Sequence, residues 1–123
     1  MLTDKFLINI AKSINGETEN HVGYVTFSST VHTPDSTDTS VAGELGSRVT
    51  ATGARTSTGT EVTFNGLRSG AVASSSGDDI NLIGLFDTAS NGELEAEATV
   101  PSILHSDSFD LEVDWTINVQ RRN

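Results

Sequence analysis

The sequence predicts an antiparallel β-sandwich, Ig-like or jelly-roll-like, that carries one N-terminal α-helix. Three observations predict it: an apolar stripe of helical period near the N-terminus, strict apolar/polar alternation over 94–100 and 109–120, and turn-rich segments that cut the rest into short runs. A small barrel is the second architecture compatible with the pattern. A chain of 123 residues holds one core of two packed layers, so residues 1–123 read as a single domain, with the helix over 3–15 and the sandwich over about 22–120.

Thr3 is placed to cap the helix with Asp4 in its first turn, and Leu2 and Leu7 are spaced as a hydrophobic staple. Phe6, Leu7, Ile10, Ala11 and Ile14 share one face, expected to pack on the domain's own sheet, and Asn15-Gly16 ends the helix. Val22, Tyr24 and Val25 to Phe27 begin the first strand. Residues 28–47, rich in Ser, Thr, Asp and Gly, read mostly as a loop and as a place for contacts with a partner. Arg48 to Ala54 and Glu61 to Phe64 read as short strands around the turn sequence RTSTGT, and Leu67 to Ala73 leads to the turn SSSGDD.

Ile80 to Phe86 is an apolar run suited to a strand buried on both faces, with Gly84 marking the close approach of a neighbour. After the turn DTASNG, Leu94, Ala96, Ala98 and Val100 alternate with Glu93, Glu95, Glu97 and Thr99, which places the acids toward solvent, and Pro101 closes the strand. Phe109, Leu111, Val113, Trp115, Ile117 and Val119 form the apolar side of the last strand.

Composition narrows the function. Asp and Glu number 17 against 7 Lys and Arg, the formal net charge is -10, and Lys5 and Lys12 are the only lysines. Such a surface repels phosphate backbones and anionic membranes, so neither nucleic acid nor membrane is an expected partner. The acidic, lysine-poor, Ser- and Thr-rich composition resembles that of proteins from salt-in halophilic archaea, where molar salt screens the repulsion. The chain has no Cys, so no disulfide or thiolate chemistry is available. The N-terminal segment is too short and polar for a signal peptide or a membrane span.

No nucleophile elbow, P-loop or thiol nucleophile occurs in the sequence, and the paired acids of the alternating strands are expected on the solvent face rather than desolvated. A non-enzyme without a cofactor is therefore expected. His21, His32 and His105 lie far apart without metal-ligand spacing and read as ordinary surface or loop histidines, so no metal site is assigned. Asp35, Asp38 and Glu44 in the long loop, and the pair Asp78 and Asp79, are the carboxylates best placed for a divalent cation, although their spacing fits no EF-hand loop.

Several segments carry a resemblance: LTDKFLINIAKSINGE, GYVTF, the stretch around SRVTATGA, and above all INLIGLFDTASNGELEAEATVP followed by SFDLEVDWTINV. From residue 2 to about 119 the chain resembles a family of small tailed-phage virion proteins, described as tail-fibre or minor structural proteins. These begin with an LTD helix, contain a GLFDAAsGG hairpin and finish on a WTI strand. Gly84-Leu85-Phe86-Asp87 with Ala89 and Gly92, and Trp115-Thr116-Ile117, are the most specific matches. The family often has Leu-Ala-Arg after the hairpin, where this chain has Leu94-Glu95-Ala96-Glu97.

The resemblance, joined to the composition, implies a structural component of a tailed virus of a halophilic archaeon. Such a component is made in the host cytoplasm and located in the virion. It would serve as an oligomeric adaptor or as a fibre or baseplate part of the tail. A capsid turret, spike or decoration protein, or a module binding a receptor or glycan, is the alternative. Expected partners are other copies of the chain and other virion proteins, with a host surface glycan or protein as a further partner. Leu67, Val72, Val31 and Val41 are the expected contacts with neighbouring subunits.

Overall fold

The computed structural model describes residues 1–55 and 58–120. Thr56 and Ser57, part of the turn expected over 55–60, lie outside the described residues. The chain folds as a helix α1 (Asp4–Ile14) followed by β1 (Tyr24–Ser28), β2 (Val49–Thr50), β3 (Thr52–Ala54), β4 (Glu61–Arg68), β5 (Asp78–Phe86), β6 (Leu94–His105) and β7 (Leu111–Asn118). Two antiparallel sheets, β2-β1-β5-β6 and β3-β4-β7, pack face to face as a β-sandwich.

Its core joins Val25, Phe27, Ile80, Ile83, Leu85 and Ala96 of the larger sheet to Ile117 of the smaller one, with Val62, Phe64, Val113 and Trp115 packed around them. Gly66 on β4 lets the sheets come together, since a Cβ there would lie 2.8 Å from a methyl of Val25. The segment expected as one strand over 48–54 is divided between the sheets. Val49–Thr50 pairs with β1 and Thr52–Ala54 pairs with β4, with Ala51 crossing between them. The pieces expected at Glu61–Phe64 and Leu67–Ala73 are instead one strand through Arg68 and then a 3-10 turn, Gly70–Val72.

Pro101 does not end its strand, for β6 runs on to His105. β6 is an edge strand, so a missing N–H can face away from the ladder, and the pairing slips between Ile80 with Ile103 and Leu82 with Thr99, which accommodates Val100, Pro101 and Ser102. A second slip matters more for the site: Leu85 pairs with Ala96 but Phe86 pairs with Leu94, which leaves Glu95 as an extra residue.

The outer face of the larger sheet is covered as well. Val41, Leu82, Phe86 and Leu94 form a second buried cluster beneath the 28–47 loop. Gly84 is the close approach that the sequence predicts, with a Cβ there placed 3.1 Å from both Thr26 and Val41. Val41 is thus core, 7% exposed, and the expectation that it contacts a neighbouring subunit is corrected, because the loop folds back to seal the sheet.

Thr3 caps α1 as expected, accepting from Phe6 N at 3.4 Å while its hydroxyl donates to Leu94 O at 2.5 Å. Leu2 bridges to Ala96, so the N-terminus ties the helix to β6. The orientation of α1, however, is the reverse of the one expected. The one fully buried helical residue is Asn9, whereas Leu7, Ile8, Ile10 and Ile14 are 56%, 46%, 38% and 83% exposed. Only Phe6 of the expected stripe packs on the core. Among the described residues no helix is long and apolar enough to cross a membrane.

Candidate functional site

Alternation along β6 puts Glu95 and Glu97 in water, yet both are buried, at 1% and 0% exposure. The bulge explains Glu95: as the extra residue it leaves the two-residue period and enters a cavity beneath α1 with Phe6, Asn9, Ile10, Val22 and Phe64. Asn9 turns inward to meet it, its Nδ2 donating to Glu95 Oε1 at 2.7 Å and to Glu93 Oε2 at 3.2 Å, while Asn9 Oδ1 accepts from Asn20 N at 3.2 Å. Burial, reinforced by the charges of Glu93 and Asp87, pushes the Glu95 carboxyl up to about 7.

Glu97 pairs with Gly84, and what covers it is the long loop. Asp35 N donates to Glu97 Oε1 at 3.3 Å and to Asp38 Oδ2 at 2.9 Å. His32 Nε2 lies 2.7 Å from Asp38 Oδ2 and 3.7 Å from Glu97 Oε1. Burial, and then the neighbouring Asp38, pushes Glu97 up to about 7, while hydrogen bonds from Glu97 and His32 hold Asp38 down at about 2. His32 is raised by its bond to Asp38. Asp35 is not turned into this cluster through its carboxylate, which caps the N–H and hydroxyl of Thr37 at 2.8 and 2.7 Å.

A third polar group closes the other end of the sheet. Arg68 is 3% exposed, with Nη2 2.8 Å from Asp78 Oδ2 and Nη1 2.6 Å from His105 Nδ1. Arginine can only donate, so His105 accepts at Nδ1 and carries its proton at Nε2, which donates to Phe109 O at 2.7 Å. His105 is therefore a buried structural residue rather than a surface one.

The expected carboxylates are dispersed. Glu44 binds Arg48 at 2.8 Å and Thr26 at 2.5 Å, and Arg48 in turn stacks 3.4 Å above the Phe86 ring. Asp78 is committed to Arg68, and Asp79 is exposed. Only Asp38 among them joins a cluster, and it does so with His32 and Glu97, whose metal-ligating atoms all lie within 4.8 Å of one another. The expectation that the strand acids face solvent holds for Asp110, Glu112 and Asp114 and is corrected for Glu95 and Glu97. The two residues that sequence reasoning missed are His32 and Glu97, whose separation no periodic rule connects. The Asp35-x-x-Asp38 turn was the one local signal that this loop is ordered.

Leu67, Val72 and Val31, the other residues expected to meet neighbouring subunits, are 50%, 64% and 84% exposed. Fold and site together define a small β-sandwich domain whose buried carboxyl groups lie under a reversed helix and a folded-back loop. No family model, curated protein or solved structure matches the chain.

Proposed function

We propose that the chain is a non-enzymatic structural subunit of a tailed virus particle, which assembles with further copies of itself and with other virion proteins as an adaptor or a fibre or baseplate part. The GLFD hairpin and the WTI strand support the virion reading through the resemblance already described. The observation that carries assembly is the reversed helix: α1 spends its inward face on Asn9 and presents Leu7, Ile8, Ile10 and Ile14 to the outside. Burying such side chains is worth about 1.5–3 kcal/mol each when complete, which makes the face unfavourable to leave in water.

A second copy of the chain is the occupant that charge favours. With a net charge of -10, two copies repel over most of their surfaces, but α1 holds a single acid and both lysines of the chain. Contact through α1 therefore brings copies together where their repulsion is weakest, and Leu67, Val72 and Val31 extend the contact to further neighbours.

The test is sedimentation velocity in molar KCl on the wild-type chain and on a Leu7→Asp/Ile14→Asp variant, whose replaced side chains are 56% and 83% exposed. Wild type sediments as an oligomer and the variant as a folded monomer. Equal masses for the two, or a wild type that stays monomeric in molar KCl, overturn the proposal.

A further inference from the structure

We propose that His32, Asp38 and Glu97 form a site for a divalent transition-metal ion, Zn²⁺ by preference, which pins the 28–47 loop to β6. The site goes beyond the assembly role and does not depend on it. Its first ground is the geometry given above: one imidazole nitrogen and two carboxylate oxygens converge from two places in the loop and one in the strand.

The second ground is independent of the clustering. Glu97 is 0% exposed, and its Oε2 is buried without any hydrogen-bond partner, the one such side-chain atom among the described residues. Oε1 of the same carboxylate already accepts from Asp35 N and faces His32. A buried carboxylate oxygen left unpaired is costly: a proton shared between Glu97 and Asp38 is one answer, and a cation held among the three side chains is the other.

The donor set selects the ion. Calcium takes six to eight oxygens, more than this site offers, whereas one histidine with two carboxylates and an open fourth position suits zinc. His32 and Asp38 also line a cavity of ≈ 150 Å³ with Thr30 and Ser40, which leaves room for a water as a further ligand. His32 Nε2 and Asp38 Oδ2, 2.7 Å apart, stand at hydrogen-bond distance, and tetrahedral zinc needs about 3.3 Å between ligand atoms. The His32 side chain is 42% exposed, so it can swing by that amount and also marks the side from which the ion enters. In a chain without Cys, such an ion is the cross-link that fastens the loop.

Zn²⁺ alone, titrated calorimetrically into the full chain after chelator treatment, tests the site, with thermal melting followed in parallel. The expected result is saturable binding of one ion per chain and a higher melting temperature. His32→Ala and Glu97→Gln lose about tenfold or more in affinity, while Asp79→Asn, on the exposed acidic surface, binds as wild type. Co²⁺ in place of Zn²⁺ gives the visible absorption of a tetrahedral site, absent in His32→Ala. Absence of saturable binding overturns the proposal, as does a His32→Ala chain that binds Zn²⁺ like wild type, since the ion then sits elsewhere among the acids. A proton shared between Asp38 and Glu97 as the sole answer to the buried oxygen would appear as an unchanged melting temperature with Zn²⁺.

Discussion

Glu95 shows how one extra residue in a strand changes the chemistry of a side chain. Its ordinary carboxyl value of 4.5 is pushed up to about 7 in the folded chain, so between these values the unfolded state releases a proton that the folded state keeps. Stability therefore falls as pH rises through that window and levels off above it. Glu95→Gln, which retains an acceptor for Asn9, flattens that part of the profile and stabilises the chain above pH 7 by up to about 3 kcal/mol. Urea denaturation at a series of pH values checks this, and the slope that remains has the same sign because Glu97 is raised in the same way. Asp78 acts in the opposite direction. Arg68 lowers its carboxyl, so the stability it contributes is present above the ordinary value of 3.8 and is lost as pH falls through the depressed one. Asp78→Asn leaves Arg68 buried without its counter-ion and is expected to destabilise by about 3 kcal/mol. The double variant Asp78→Asn/Arg68→Met should recover part of that loss in the same denaturation assay. Alternation misplaced the two acids of β6 for different physical reasons: Glu95 through a bulge, which is set by the register of two strands and carried by neither sequence alone, and Glu97 through the 28–47 loop that folds over its face of the sheet.

The elements themselves were largely legible. The Thr3 cap, the Asn15-Gly16 stop, the apolar run of β5 and the alternation of β7 all correspond to observed elements. The helix period told where α1 lies but not which way it turns, because that choice rests on Asn9 finding Glu93 and Glu95, residues far along the chain. Thr3→Ala removes both the cap and the bond to Leu94 O and should cost about 1–2 kcal/mol, whereas Thr3→Ser keeps both. Thermal melts of the two variants distinguish the outcomes. The 28–47 loop was legible as a loop but not as a lid on the larger sheet. Gly84→Val drives new methyl groups against Thr26, Val41 and Leu94, already 3.1–3.2 Å from the position of its Cβ, and should destabilise by about 1–3 kcal/mol in chemical denaturation. A Gly84→Val chain as stable as wild type would mean that the loop does not seal the sheet.

At the scale of the whole molecule, the same charge that makes the chain acidic sets the condition for its assembly. At low ionic strength, copies bearing a net charge of -10 repel, while at 1 M salt the screening length shrinks to about 3 Å and the apolar face of α1 is free to decide. High salt also strengthens the case for burying Leu7, Ile10 and Ile14, since their contribution does not depend on charge. The fold class could be read from the sequence because a sandwich is written in local periodicity. The cluster of His32, Asp38 and Glu97 could not, because it exists only once the loop has folded over β6. Self-association through α1 can be read from the absolute mass of the purified chain by light scattering, at low salt and in molar KCl. The expected result is a discrete oligomer that forms or strengthens in molar KCl; a monomer under both conditions rules out assembly through α1.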